Sequence, residues 1–159
     1  MALSEQFLTE ELHPIDIVEH LTEHHEWDFD RIGDDQIAMA VEGQWRTYSV
    51  TLAWSHFDQT LRLVCTFEME PPEEALPGLY ELLNLVNDQC WAGSFTYWPT
   101  HKLTVYRYGL VLAGDQVAMI NAAIHSAERY YPAMQLNVWG GQTPAAAMQV
   151  AIAEAYGRA

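Results

Sequence analysis

Apolar residues recur along this chain with two periods, and the changes of period divide it into helical and extended segments. Over residues 14–26 the period is helical: Ile17, Val18 and Leu21 share one arc, Asp16, Glu19, Glu23 and Glu26 another, and Pro14 suits a first helical turn. Two β-prone runs, 27–32 and 36–42, flank Gly33, Asp34 and Asp35, a tight-turn composition that predicts a hairpin. Within 45–54, Tyr48, Val50, Leu52 and Trp54 alternate with Thr47, Ser49, Thr51 and Ala53. Within 59–69, Leu61, Leu63, Cys65, Phe67 and Met69 alternate with Arg62, Thr66 and Glu68. One wet and one dry face per strand predicts an antiparallel sheet covered on one side.

Pro71, Pro72, Glu73 and Glu74 open a second helix with acids at its positive end, and Leu79, Leu82, Leu83, Val86 and Cys90 form its apolar stripe. Pro77 and Gly78 delay its regular start, and Gly93 ends it. Runs 94–98 and 102–112 form a second hairpin around Pro99, Thr100 and His101. Gly114 and Asp115 cap a third helix carrying Val117, Ile120, Ile124, Ala127 and Tyr131, which Pro132 is expected to kink or interrupt. A last helix starts with Thr143 as N-cap and Pro144 at its first position, and stops at Gly157. The order α-β-β-β-β-α-β-β-α-α predicts an α+β fold, a mostly antiparallel sheet with helices packed on one face. With no repeat and no dividing linker, residues 1–159 read as one domain, in which residues 1–12 and the Gly140-Gly141 joint are the mobile parts.

Composition narrows what such a domain can do. At 159 residues it can bury a substantial core without disulfides or metal staples. A formal charge of −15 and a single lysine, Lys102, exclude the phosphate-neutralising chemistry that nucleic acids and anionic membranes require. Half of the 22 acids lie in residues 1–35, whereas Arg31, Arg46, Arg62, Lys102 and Arg107 fall on expected strands, which polarises the surface. The N-terminus lacks the pattern of a secretory signal, no apolar run could span a bilayer, and the expected location is cytoplasmic. Cys65 and Cys90 share no paired spacing and are expected as free thiols.

Catalytic signatures are absent: there is no G-x-S-x-G, no phosphate-binding glycine loop and no protease-like cysteine context. His20 and His24 stand at i, i+4 on one helix face, with His13 near the same meridian, but Leu21 occupies the place of the zincin glutamate. The pairs Glu68/Glu70 and Asp28/Asp30 share strand faces and read as solvated edges. No catalytic residue, metal ligand or cofactor is therefore assigned. The surplus of aromatic residues around the second hairpin is the other unusual feature. Tyr106 and Tyr108 alternate with other bulky residues, and with Trp91 and Trp98 they are the candidate partner-binding residues.

The stretch 82–95 (LLNLVNDQCWAGSF), followed by Val105, Tyr106, Arg107 and Tyr108, resembles the YbjN domain family, described as bacterial sensory transduction regulators. The run 27–31 and the end carrying Arg129, Tyr130, Tyr131 and Pro132, then Trp139, Gly140 and Gly141, are similar to the alphaproteobacterial version. The resemblance implies a fold like that of type III secretion chaperones, an acidic homodimer that binds extended segments of other proteins, with 143–157 as an added helix able to cover a client surface. It carries over no catalytic motif. The leading expectation is a non-enzymatic, cytosolic, dimeric regulator or chaperone-like adaptor. The alternatives are a small-ligand sensor and a metal-assisted hydrolase using His20 and His24.

Overall fold

Six antiparallel strands pair into one sheet in a computed structural model that describes residues 13–112 and 116–156. The strands are β1 (Asp28–Arg31), β2 (Gln36–Glu42), β3 (Thr47–Ser55), β4 (Thr60–Glu68), β5 (Ser94–Trp98) and β6 (Leu103–Val111), in spatial order β1-β2-β3-β4-β6-β5. Helix α1 (Pro14–His24) precedes them, and α2 (Leu76–Gln89) carries the chain from β4 to the far edge, so the β5–β6 hairpin returns β6 to the side of β4. Helices α3 (Gln116–Val138) and α4 (Pro144–Tyr156) follow. This is the α+β order that the periodicities predict. The chain divides into two compact units, residues 1–113 and 114–159.

Register places Ile37 beside Leu52, Leu52 beside Leu63, and Met39 beside Val50, so their side chains share one face of the first unit. Ile15 of α1 closes over Ile37, Met39 and Leu52, with Val18, Phe29 and Trp54 packed around this cluster.

The phase of α1 differs from the one that its apolar residues suggest. Ile17 and Leu21 are about half exposed, whereas Ile15 and Thr22 are fully buried and Val18 packs on the core. At about 100° per residue, positions 15, 18 and 22 fall within roughly 60° of one another. Two polar contacts hold that phase. Asp16 and Glu19 both accept from the Arg31 guanidinium, at 3.0 and 2.8 Å, and His13 caps the helix by accepting the Ile15 amide N–H on Nδ1. Burial of Thr22 is compatible with its hydroxyl because Oγ1 donates to the Glu19 carbonyl at 2.7 Å.

Glu73–Ala75 forms a 3-10 turn and the regular α2 helix begins at Leu76, with Pro77 in its first turn. Leu79, Leu83, Val86 and Cys90 are partly buried, while Leu82 faces solvent. Asn87 does what no apolar residue could. Its side-chain amide donates to the Phe95 carbonyl at 3.0 Å and accepts the Phe95 N–H at 2.7 Å, on the side of β5 that faces away from β6. One side chain thereby pairs the outward backbone groups of Phe95 as a neighbouring strand would. Asn87→Leu is expected to lower stability by about 1–3 kcal/mol, through unpaired backbone groups at Phe95, and to raise aggregation. Urea denaturation and light scattering after mild heating measure the two effects.

In the second unit α3 and α4 pack through Ala133, Ala147 and Ala151, flanked by Tyr130 and Leu136. Contrary to the interruption expected at Pro132, α3 is one continuous element through it. A proline inside a helix costs about 3 kcal/mol; here it lies next to Ala133, which packs against α4. Thr143 caps α4 as its sequence predicts, with Oγ1 accepting the Ala146 N–H at 3.2 Å. The Gly140-Gly141 joint is tied back onto α3: the Gly140 and Gln142 N–H groups donate to the Gln135 and Leu136 carbonyls, and Gly141 takes φ of 69°. Residues 1–12, the cap at Gly114 and Asp115, and the stop at Gly157 lie outside the described residues.

Candidate partner-binding surface

Strand alternation decides where the four candidate aromatics go. Tyr106 and Tyr108 sit opposite Cys65 and Leu63 of β4, on the face that also carries Leu52 and Ile37. Trp98 pairs with Leu103 in the register that puts Thr96 opposite Val105, so it belongs to the other face, where its ring meets His101 edge-on at 6.0 Å. Trp91 precedes β5 and is fully exposed. The four residues therefore form no common surface. The expected wet face is also not uniformly wet, because Val105 on it is fully buried.

Tyr106 has a structural task. Its hydroxyl donates to the Ala92 carbonyl at 2.8 Å and its ring lies 5.1 Å from that of Phe95, fastening the α2–β5 turn to β6. Gly93 completes the turn at φ 75° with the Tyr106 ring against it, so no side chain fits there.

A more coherent apolar surface lies on α3. Ile120, Ile124, Ala127, Tyr131, Met134 and Val138 follow one another at spacings of four, three, four, three and four, and all are exposed. That spacing is the a/d seam of a helix meant to pack against another helix. The first part of it was visible in the sequence. What sequence could not supply is that α4 packs along Ala133 and not along the seam.

Polar chemistry gathers elsewhere than expected. His20 is largely exposed and has only Glu23 near it, 3.9 Å away; His24 lies edge-on to His25. No third ligand joins them among the described residues. Instead, His13, Asp35 and His56 converge: both imidazole Nε2 atoms reach the same Asp35 Oδ1, at 2.7 and 3.0 Å. Hydrogen bonds from His13 and then His56 hold the Asp35 carboxyl below the usual carboxylate range. These residues come from the N-cap of α1, the β1–β2 turn and the β3–β4 turn, segments whose proximity no local pattern encodes. Cys65 and Cys90 are free, and burial pushes the Cys65 thiol up. Of the five bases expected on strands, Arg31, Arg62 and Arg107 are there, while Arg46 and Lys102 occupy the adjoining turns. There Arg46 bonds the Glu68 carbonyl and lies over the Phe67 ring.

The family model described as "Putative bacterial sensory transduction regulator", YbjN, matches residues 14–136, which run from the first residue of α1 into α3. The chain belongs to the YbjN family. The match ends before α4, so that helix lies beyond the shared part of YbjN. No curated protein and no solved structure gives a significant match. YbjN is a family of regulators by description. Among the described residues no helix is long and apolar enough to cross a membrane.

Proposed function

We propose that this YbjN protein is a non-enzymatic, cytoplasmic protein-interaction module, a regulator or chaperone-like adaptor that works as a homodimer. The observation that supports the reading is the apolar seam of α3, which α4 does not occupy. A 4-3 spacing of apolar side chains is satisfied by another helix with matching knobs and holes, and a second copy of the chain offers the same seam about a two-fold axis. Electrostatics favour α3 for this task. In a chain of formal charge −15, residues 116–138 contain one acid, Glu128, and one base, Arg129, so two copies can meet there with little repulsion. The fold type expected from the resemblance, that of secretion chaperones, is part of the same proposal, as is the assignment of residues 1–159 to one domain. Trp91, fully exposed beside α2, is the strongest of the four aromatic candidates for contact with a further partner.

Sedimentation velocity of the wild type and Ile124→Glu tests the seam. The expected result is a dimer for the wild type and at least about a tenfold weaker self-association for the variant, with the melting temperature unchanged. A wild type that is monomeric at all concentrations would overturn the reading. So would a variant that stays dimeric but melts earlier, since the seam would then belong to the protein interior.

A further inference from the structure

We propose that His13, Asp35 and His56 form a binding site for a divalent transition cation of the zinc class. Three kinds of observation carry it. The donor set is one: two imidazoles and a carboxylate are the mixed nitrogen and oxygen ligands that borderline cations select, whereas magnesium and calcium take oxygen ligands throughout. Convergence is another. The donor atoms of His13, Asp35 and His56 all lie within 4.8 Å of one another, and they are delivered by three separate segments of the chain. Four ligands about 2.0–2.2 Å from a tetrahedral cation stand roughly 3.3–3.6 Å apart, so small side-chain rotations suffice.

The third is the surroundings. The cluster opens into a concavity of about 380 Å³ lined by His13, Asp16, Arg31, Asp34, Asp35 and His56, which leaves room for water as the remaining ligand. Arg31 is the one cation of that lining, and it is already engaged. Its guanidinium donates to Asp16 and Glu19 and to the Gly33 and Asp34 carbonyls, so its charge is met there and not at Asp35.

The arrangement has a consequence specific to this chain. His13 Nδ1 accepts the Ile15 N–H, which places the ring proton on Nε2, the atom facing Asp35. To coordinate through Nε2, His13 must move that proton to Nδ1, and Nδ1 can then no longer accept from Ile15. The cap is worth about a tenfold effect on helix stability, much less than the coordinate bonds that replace it. Cation binding therefore exchanges the cap of α1 for a clamp that joins the helix start to two hairpin turns.

The test is titration calorimetry of the chelator-stripped full chain with zinc chloride, with magnesium chloride as control. One equivalent of zinc binding in the low micromolar range is expected, with no heat from magnesium. His56→Ala and Asp35→Asn should each weaken binding at least about tenfold, while the His20→Ala, His24→Ala double variant leaves it unchanged. Amide hydrogen exchange at Ile15 should quicken on zinc binding as its acceptor is withdrawn. Absence of saturable binding up to about 1 mM zinc overturns the proposal. Binding that survives both His56→Ala and Asp35→Asn, or that is lost with His20 and His24, overturns it equally. His56 is a mostly exposed turn residue, and Asp35→Asn preserves shape, so neither variant is expected to disturb folding.

Discussion

Ile15→Ala is expected to destabilise the protein by about 2–5 kcal/mol, whereas Ile17→Ala, two residues along the same helix, changes stability by no more than about 0.5 kcal/mol. The residues are chemically identical and close in sequence. They differ because Ile15 is fully buried against Ile37, Met39 and Leu52, and Ile17 is about half exposed. Truncating Ile15 removes its transfer free energy and leaves a cavity that the sheet beneath cannot collapse to fill. Urea denaturation followed by tryptophan fluorescence gives both values. Equal effects at the two positions would mean that α1 packs in a different phase.

Gly93→Ala is expected to cost about 2–5 kcal/mol, a sum of two terms. A φ of 75° disfavours any residue with a Cβ by about 1–2 kcal/mol, and crowding a closed turn adds about 1–3. The crowding has identified sources: the new Cβ meets the Tyr106 ring and hydroxyl, and the Arg107 carbonyl oxygen at 2.8 Å. A Tyr106→Phe background probes the crowding. It removes the nearest obstructing atom and the bond to Ala92 together but keeps the ring carbon and the Arg107 carbonyl in place, so the Gly93→Ala penalty in that background should shrink only in part. A penalty as large as in the wild type would mean that the hydroxyl contributes nothing to the crowding.

The strands were readable because strand alternation is a two-residue period that survives in any register. Tyr48, Val50 and Leu52 face the core for the same reason that Thr47, Ser49 and Thr51 do not. The α1 phase was harder. Thr22 reads as polar although its hydroxyl is satisfied by the Glu19 carbonyl, and Ile17 and Leu21 read as core although they are exposed. Hydrophobicity alone cannot register that an internal hydrogen bond makes a threonine burial-compatible, or that Arg31 draws Asp16 and Glu19 to one side. Of the kink or interruption expected at Pro132, the interruption does not occur, since α3 continues through it.

The candidate sites divide in the same way. Part of the α3 seam is legible because helical neighbours three and four residues apart are also neighbours in space. The candidate residues Trp91, Trp98, Tyr106 and Tyr108 crowd one stretch of sequence, and the pleat distributes them over two faces and a turn. His13, Asp35 and His56 show the converse, a cluster whose members are about twenty residues apart in the chain and share one carboxylate oxygen.

By itself, then, the sequence determined the element types, their order, the alternation of the strands, the acidic charge, and membership of YbjN through residues spread along the chain. The elements and the charge follow from near-neighbour periodicity and composition, and the family from its particular residues, all of which a linear string carries in full. Only the tertiary structure decided which face of α1 is buried, that Asn87 pairs the outward backbone groups of Phe95, that α3 runs through Pro132, and that two histidines meet at Asp35. Those outcomes depend on which distant segments are brought together, and side-chain hydrogen bonds and packing free energies of a few kcal/mol act only once the strands have set the distances.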